Sequence, residues 1–252
     1  MSINDPIDFD LALAASVPLP EPIQNPENLR TATYRVTCKD VNPTILFPTC
    51  SYQTVTSISD TVAEITVTLS PPDSRNPSPE SPRPSREAIL SNRWLQSNHK
   101  TIIDFAESAV DKEVEPKAIA LAIRNRVYNY LDKTESDQIL ASALVAATER
   151  KGDCTEHAML VASACRAQKI PARVAIGLIY DEPSESMVYH MWTEVWTGNN
   201  WFPIDATRPH PHFVATRIKM SDENLNNVSD FGIVAPVIRA AGRVEVELVR
   251  AK

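Results

Sequence analysis

Cys154 lies in the segment KGDCTEHA (151–158), whose residue types could support nucleophilic chemistry. Asp153 followed three residues later by Glu156 fits a capping box, which predicts that a helix begins at Cys154. At that position the unpaired backbone N–H groups and the positive end of the helix dipole favour the thiolate over the thiol. The same N–H groups can stabilise negative charge that develops on a carbonyl oxygen. Cys154 is therefore a candidate nucleophile, with a small buried apolar residue as the alternative interpretation.

A nucleophile needs a base, and the segment HMWTEVWTGNNWFPIDAT, which starts at His190, offers one. Two strand-like stretches flank the turn residues TGNN (197–200), which is a strong hairpin signal. A loop of two or four residues puts His190 and Asp205 on the same face of the sheet, whereas a loop of odd length separates them. In the register that pairs Trp196 with Trp201, their Cβ atoms lie on a diagonal, roughly 7 Å apart. We therefore expect the carboxylate to hold the imidazole.

Cys154, His190 and Asp205 together could form a catalytic triad, as nucleophile, base and orienting acid. Taken singly, the histidine and the aspartate could also be ordinary strand residues that bond to nearby backbone. A zinc site is the main rival chemistry, because Cys154 and His157 share a helix face and could be joined by His190 and Asp205. A protein that keeps the fold and only binds a partner is the third interpretation.

The remaining cysteines are expected to be structural, because Cys165 lies in the middle of a predicted helix and Cys38 and Cys50 lie in or beside predicted strands. Glu156 is expected to cap its helix, and His157 to be structural. Trp192 is expected to pack on the sheet, with a wall of the substrate cleft as the alternative.

Substrate specificity is expected to lie in two loops, 181–188 and 208–212. His210 and His212 in the second loop are expected to be exposed to solvent, unless they line the cleft.

The order of elements predicts an α+β fold, with a papain-like core of helices followed by an antiparallel sheet. Alternating Thr and Val residues predict strands at 31–38 and within 53–70, after an irregular start of about 28 residues. Helical spacing predicts four helices, starting near Ile102, Pro116, Ser136 and Asp153. Further strands are predicted at 172–180, 188–196, 201–207, 213–220 and 243–250.

Residues 71–86 contain six prolines and almost nothing apolar, which predicts an extended linker. The chain is thereby divided into an N-terminal β-strand module (1–70), the linker (71–86) and a domain that carries the candidate site (87–252).

Composition excludes several functional classes. The net charge of -7 argues against broad nucleic-acid binding, which needs a basic face. No apolar run reaches the roughly 20 residues of a membrane-spanning helix, and no export signal is evident, so we expect a cytoplasmic protein with reduced thiols and no membrane partner. The sequence has neither a CxxC pair nor a DxDxDG loop, so we expect no bound metal and no cofactor.

Three blocks of the sequence resemble the motif blocks of the transglutaminase-like superfamily, a branch of papain-like thiol enzymes. They are GDCTEHA (152–158), CRAQKIPARVAIGLIY (165–180) and YHMWTEVWTGNNWFPIDAT (189–207). The resemblance covers about residues 137–207 and is specific because the blocks occur together. It implies a papain-like core, and it implies the roles of nucleophile, base and orienting acid for Cys154, His190 and Asp205.

The resemblance further implies acyl chemistry through a cysteine thioester, with a peptide or protein amide as the substrate. Many bacterial relatives resemble hydrolases, including cysteine proteases, so hydrolysis is favoured over transfer to an amine. Animal members depend on calcium, but this sequence shows no calcium-loop pattern and the metal is not carried over. The tryptophan that assists the oxyanion in some relatives is not assigned here.

Overall fold

The structure is a computed structural model that describes residues 16–69, 82–133, 141–210, 212–226 and 235–252. Most of the predicted linker 71–86 therefore lies outside the described residues. The described chain resumes at residue 82 and forms a 3₁₀ turn at Arg86–Ile89.

Helices and antiparallel strands together build an α+β fold, as the sequence predicts. The helices are α1 (Pro43–Leu46), α2 (Lys100–Ala109), α3 (Pro116–Tyr130), α4 (Ala143–Glu149), α5 (Cys154–Ala167) and α6 (Ala235–Ala240). The strands are β1 (Ser16–Pro18), β2 (Thr31–Cys38), β3 (Gln53–Ser57), β4 (Val62–Thr68), β5 (Asp132–Lys133), β6 (Lys151–Gly152), β7 (Ala172–Asp181), β8 (Ser186–Trp196), β9 (Trp201–Ile204), β10 (Arg217–Glu223) and β11 (Val244–Ala251).

The main sheet carries the predicted site strands. Its order is β1-β8-β7-β10, with β9 also paired to β8, and every pairing in it is antiparallel. A bulge between Lys219 and Ser221 shifts the register of β10 against β7. Long strands β7 and β8 pair along their whole length, which makes them the rigid centre of this sheet.

The second sheet has the order β11-β2-β4-β3 and is also antiparallel. Its strand β11 comes from the C-terminal part of the chain, which the division of the sequence assigns to the domain with the candidate site. In return, β1 from the N-terminal part pairs with β8 of the main sheet. Each sheet therefore contains one strand from the other part of the chain.

Two expectations about local structure need correction. The N-terminal stretch expected to be irregular contributes β1 within its described part. The third predicted helix begins at Ala143 rather than near Ser136, because the Ser142 side chain caps it by accepting from Val145 N. Residues 134–140, which include the expected start, lie outside the described residues.

Helix α5 is the centre of the core, since nearly its whole length is buried. Four of its residues are alanines, whose small side chains let α3, α4 and the main sheet approach closely. Thr193 of β8 donates a hydrogen bond of 2.8 Å to the carbonyl of Ala158, which ties this helix to the strand that carries His190. The helix start and the histidine strand are thus held as one rigid unit.

Candidate active site

The start of α5 is fixed by the predicted capping box. Asp153 is the N-cap, and its side chain accepts from the backbone N–H of Thr155 at 2.7 Å. Glu156 returns the bond by accepting from the backbone N–H of Asp153 at 2.9 Å. Cys154 then occupies the first helical position, half-buried, with its thiol free. The geometry predicted for the candidate nucleophile is therefore present.

Glu156 holds more than its own helix. Its second carboxylate oxygen accepts from the backbone N–H of Ala141, so it also fixes the chain that precedes α4. A side chain at Gly152 would collide with it, because a Cβ there would lie 2.3 Å from the Cβ of Glu156. Burial and the neighbouring Asp153 raise the pKa of Glu156 to about 7.

The hairpin has the predicted register. Trp196 pairs with Trp201 across a four-residue loop, and their rings meet edge to face at 5.7 Å. Extended beyond the end of β9, the same register puts His190 and Asp205 on one face. The His190 Nε2 atom lies 3.1 Å from Oδ2 of Asp205, so the expected contact between imidazole and carboxylate is confirmed.

Asp205 has four hydrogen-bond donors. Its Oδ1 accepts from the backbone N–H of Thr207 at 2.9 Å and from the hydroxyl of Thr207 at 2.7 Å. Its Oδ2 accepts from His190 and from Nη2 of Arg217, the latter at 3.0 Å. Burial alone would raise the pKa of Asp205, but the charges of His190 and Arg217 hold that pKa well below its usual range.

His190 lies close to both the carboxylate and the thiol. Its Nε2 faces Asp205, and Cys154 is near enough for its charge to act on the ring. Because Nε2 is engaged by Asp205, Nδ1 is the ring nitrogen available to a second partner. Burial lowers the pKa of His190, but the neighbouring Asp205 and Cys154 outweigh it and raise that pKa to about 9. This arrangement favours the imidazolium form of His190 near neutral pH.

Arg124 of α3 fixes the backbone that follows the hairpin, and the sequence analysis missed it. The side chain is buried and donates from Nε to the carbonyl of Asp205 at 2.7 Å. It also donates to the carbonyls of Arg208, Pro209 and His210. The signal was present, because Arg124 falls on the helix stripe that otherwise carries apolar residues.

Arg217 of β10 is the second residue that the sequence did not identify. Its side chain is buried, bonds the Asp205 carboxylate and stacks over the Phe213 ring at 4.6 Å. Arg217 and Lys219 are two positions apart on the predicted strand, so their side chains project from the same face. The sequence indicates that charged face but not what it contacts.

The other candidate residues take the expected structural positions. His157 is buried, and its Nδ1 lies 2.6 Å from the carbonyl of Asp153, one turn back in its own helix. Cys165 is fully buried, and burial raises the pKa of its thiol. Trp192 is also buried and packs against Phe213, with its ring close to Gly177 of β7. A Cβ at that glycine would collide with the Trp192 ring and with the backbone of β10.

The four groups of the rival zinc interpretation are all described, and they do not form a cluster that could hold a metal ion. The two loops expected to set specificity flank a cavity of about 240 Å³. His210 and His212 are exposed and line that cavity, together with Glu182 and Arg208. Within the described ranges, no helix is long and apolar enough to cross a membrane.

Comparison with known proteins identifies the family. Residues 103–206 match the model of the transglutaminase-like superfamily. A provisionally assigned cysteine protease from Cytophaga hutchinsonii is 18% identical, with a TM-score of 0.53 over 86% of this chain and 83% of that one. The periplasmic domain of TgpA from Pseudomonas aeruginosa is 14% identical, with a TM-score of 0.48 over 79% of this chain and 92% of that one. No curated protein sequence gives a significant match.

At 18% identity, the likeness to the Cytophaga hutchinsonii protein concerns the fold alone. The match to the family model spans α5, the hairpin and the helices before them, which are the elements that bring the thiol, the imidazole and the carboxylate together. Residues 103–206 of this chain are a domain of the transglutaminase-like superfamily.

Proposed function

We propose that this domain is a thiol enzyme that cleaves amide or peptide bonds through a thioester on Cys154, with His190 as the base and Asp205 as the orienting acid. The observation that carries the proposal is the position of His190, which bonds Asp205 through Nε2 and lies close enough to Cys154 for their charges to interact. A free, half-buried sulfur at a helix start is suited to this chemistry. Membership in a superfamily of thiol enzymes supports the same reading.

In the first half-reaction, the thiolate of Cys154 attacks the carbonyl carbon of the amide and forms a tetrahedral intermediate. The Asp153 cap accepts from the N–H groups of Thr155 and Glu156, so the backbone N–H of Cys154 itself is the group placed to stabilise the resulting oxyanion. The imidazolium of His190 then gives its proton to the leaving nitrogen as the C–N bond breaks. The products are a free amine and a thioester on the enzyme.

In the second half-reaction, neutral His190 takes a proton from water as the water oxygen attacks the thioester. The C–S bond breaks, the carboxylic acid leaves and the thiolate returns. An amine in place of water would give a new amide instead, which is the transfer reaction of other members. Hydrolysis is our choice, since the sequence blocks resemble those of bacterial hydrolases.

The substrate class and the cellular location belong to the same proposal. We propose a peptide or protein amide as the substrate and the cytoplasm as the location, as predicted from the sequence. The TgpA domain is periplasmic, so the periplasm is the alternative that cell fractionation would reveal.

Intact-mass detection of an acyl-enzyme, after incubation with a peptide library, tests the function. We expect an adduct on Cys154 that disappears in water, is absent from Cys154→Ala, and persists in Cys165→Ala, a matched change in the same helix. An added primary amine should leave the product a carboxylic acid if hydrolysis dominates. No adduct, together with alkylation of Cys154 that His190→Ala leaves unchanged, would contradict the proposal and favour a binding protein that keeps the fold.

A further inference from the structure

Arg217 of β10 is a buried arginine with an unusual set of partners. Its side chain is 5% exposed, and its Nη2 donates to Oδ2 of Asp205 at 3.0 Å. Its Nε is buried with no hydrogen-bond partner among the described residues. Apart from that one bond, the guanidinium stacks on Phe213. Burying a cation for one bond is costly, so its position calls for an explanation beyond fold stability.

Among the residues that the structure describes, two other arginines are almost fully buried, and their partners differ from those of Arg217. Arg124 donates to a run of backbone carbonyls after Asp205, and Arg166 donates to the carbonyls of Leu90, Ala172 and Asn224. Both act as structural clamps that satisfy backbone acceptors. Arg217 instead donates its hydrogen bond to the carboxylate that holds the candidate base.

Arg217 and His190 share one oxygen of the Asp205 carboxylate. Arg217 and His190 donate to the same atom, Oδ2 of Asp205, while Thr207 occupies Oδ1 with two bonds. A cation on the shared oxygen fixes the direction of that oxygen. It also weakens the electrostatic attraction between that oxygen and the imidazolium of His190.

The N-terminal part of the chain holds Arg217 in place. Ala215, two residues before it, donates to the carbonyl of Leu29 at 2.9 Å and accepts from the hydroxyl of Tyr34 at 3.0 Å. Lys219, two residues after it, bonds through both its backbone N–H and its carbonyl to the side-chain amide of Gln53, at 2.7 and 2.9 Å. The segment is thus pinned on either side of Arg217 by residues from β2, β3 and the turn before them.

We propose that Arg217 is a positioning residue of the site, which fixes Oδ2 of Asp205 and limits how strongly that oxygen holds the His190 imidazolium. The N-terminal strands then have a role in the chemistry, because they set the place of Arg217. This inference rests on the proposed function of Asp205 and His190. Two other cations near Asp205, Arg124 and Lys133, act on it through the backbone or at longer range, and neither bonds its carboxylate.

The test is the pKa of His190 in the full-length protein, read from the NMR signals of its ring and assigned with His190→Gln. Arg217→Met removes a positive charge from the shared oxygen, so the imidazolium is stabilised and its pKa rises by roughly one unit. Arg217→Lys keeps the charge and leaves the pKa near that of the wild type. Arg208→Met is the matched control, because it removes a neighbouring charge that does not touch the carboxylate.

Arg217→Gln serves if the methionine variant does not fold, since it removes the charge but keeps an N–H donor, and the same upward shift is expected. An unchanged or lower pKa of His190 in the neutral variants, or an equal rise in Arg208→Met, would overturn the proposal and leave Arg217 a structural residue. The pKa is readable whether or not a substrate is turned over. An absent acyl-enzyme therefore refutes the proposed function without deciding this test.

Discussion

Two buried carboxylates on one face of the main sheet have different surroundings. Lys219 donates to both carboxylate oxygens of Glu194 in β8, at 2.8 Å each. Arg173 and Tyr52 donate to the same carboxylate, at 2.7 and 2.6 Å. Asp205 also has a full set of donors, but one of them is an imidazole that titrates.

The difference separates a structural ion cluster from a reactive one. The partners of Glu194 keep their protons throughout the physiological pH range, so that cluster stabilises the fold and has no proton to exchange. His190 in the other cluster can gain or lose a proton, and it lies close to the half-buried sulfur of Cys154. A buried charge network indicates chemistry when one member can exchange a proton and has an accessible neighbour.

Glu194→Ala should give the largest effect on stability. It leaves Lys219 and Arg173 buried without their main counter-ion, which costs about 3–5 kcal/mol in the free energy of unfolding. Urea unfolding measures it. The matched control is Glu64→Ala, whose carboxylate pairs with Arg35 at the surface, and that change should cost about 1 kcal/mol or less. Equal losses in the two variants would remove the distinction between the clusters.

Asp205→Asn should act on activity more than on stability. The amide oxygen can still accept both bonds from Thr207, although the NH2 group that replaces Oδ2 cannot accept from Arg217. The unfolding free energy therefore falls, but by less than in Glu194→Ala, which removes every acceptor of that carboxylate. Without the negative charge, the imidazolium loses its partner, and acylation of Cys154 slows on the order of 100-fold. Stopped-flow acylation, read beside urea unfolding, checks both parts. A variant that unfolds readily but acylates normally would reverse the comparison.

Glu194 and His190 should lose their contributions to stability at opposite ends of the pH scale. The pKa of Glu194 is lowered to about 2: burial opposes this, and Lys219 and Arg173 cause it. Its contribution is complete above pH 4.5 and is lost as pH falls toward 2. The pKa of His190 is raised to about 9, so its contribution is complete below pH 6.5 and is lost as pH rises toward 9.

Unfolding free energies measured across pH should therefore show an acid decline that is smaller in Glu194→Gln, where only Asp205 still contributes to it, and an alkaline decline that is absent from His190→Gln. Acylation should also fall above about pH 9, because neutral His190 has no proton for the leaving amine. An alkaline decline that survives in His190→Gln would show that another group causes it.

Tyr52→Phe should give the smallest effect. It removes one hydrogen bond to Glu194, worth about 1 kcal/mol, and leaves the two cations in place. Urea unfolding should show this loss, while the rate of Cys154 acylation stays at the wild-type value. A change in that rate would mean that the two clusters are coupled.

The parts of the site predicted from the sequence are those governed by local rules. The capping box needs only Asp153 and Glu156 at the right spacing, and the face shared by His190 and Asp205 follows from whether the hairpin loop is even or odd. The α+β class follows from the order of the patterns. None of these inferences requires knowledge of a distant partner.

The parts that the sequence did not reveal depend on contacts between distant segments. Arg217 reaches Asp205 only because β10 pairs with β7 in a register that a bulge interrupts, and no local pattern specifies that register. The pairing of β11 with β2 joins residues more than 200 positions apart. Local spacing also placed the start of α4 too early, since the Ser142 cap competes with continued helix.

The exchange of strands between the two sheets has a consequence for synthesis. β2 is a central strand, and one of its edges stays unpaired in the nascent chain until β11 emerges from the ribosome. The residues that pin the segment around Arg217 belong to that same unfinished sheet. We therefore expect Asp205 and His190 to reach their final arrangement beside Cys154 only after residue 251 has emerged from the ribosome.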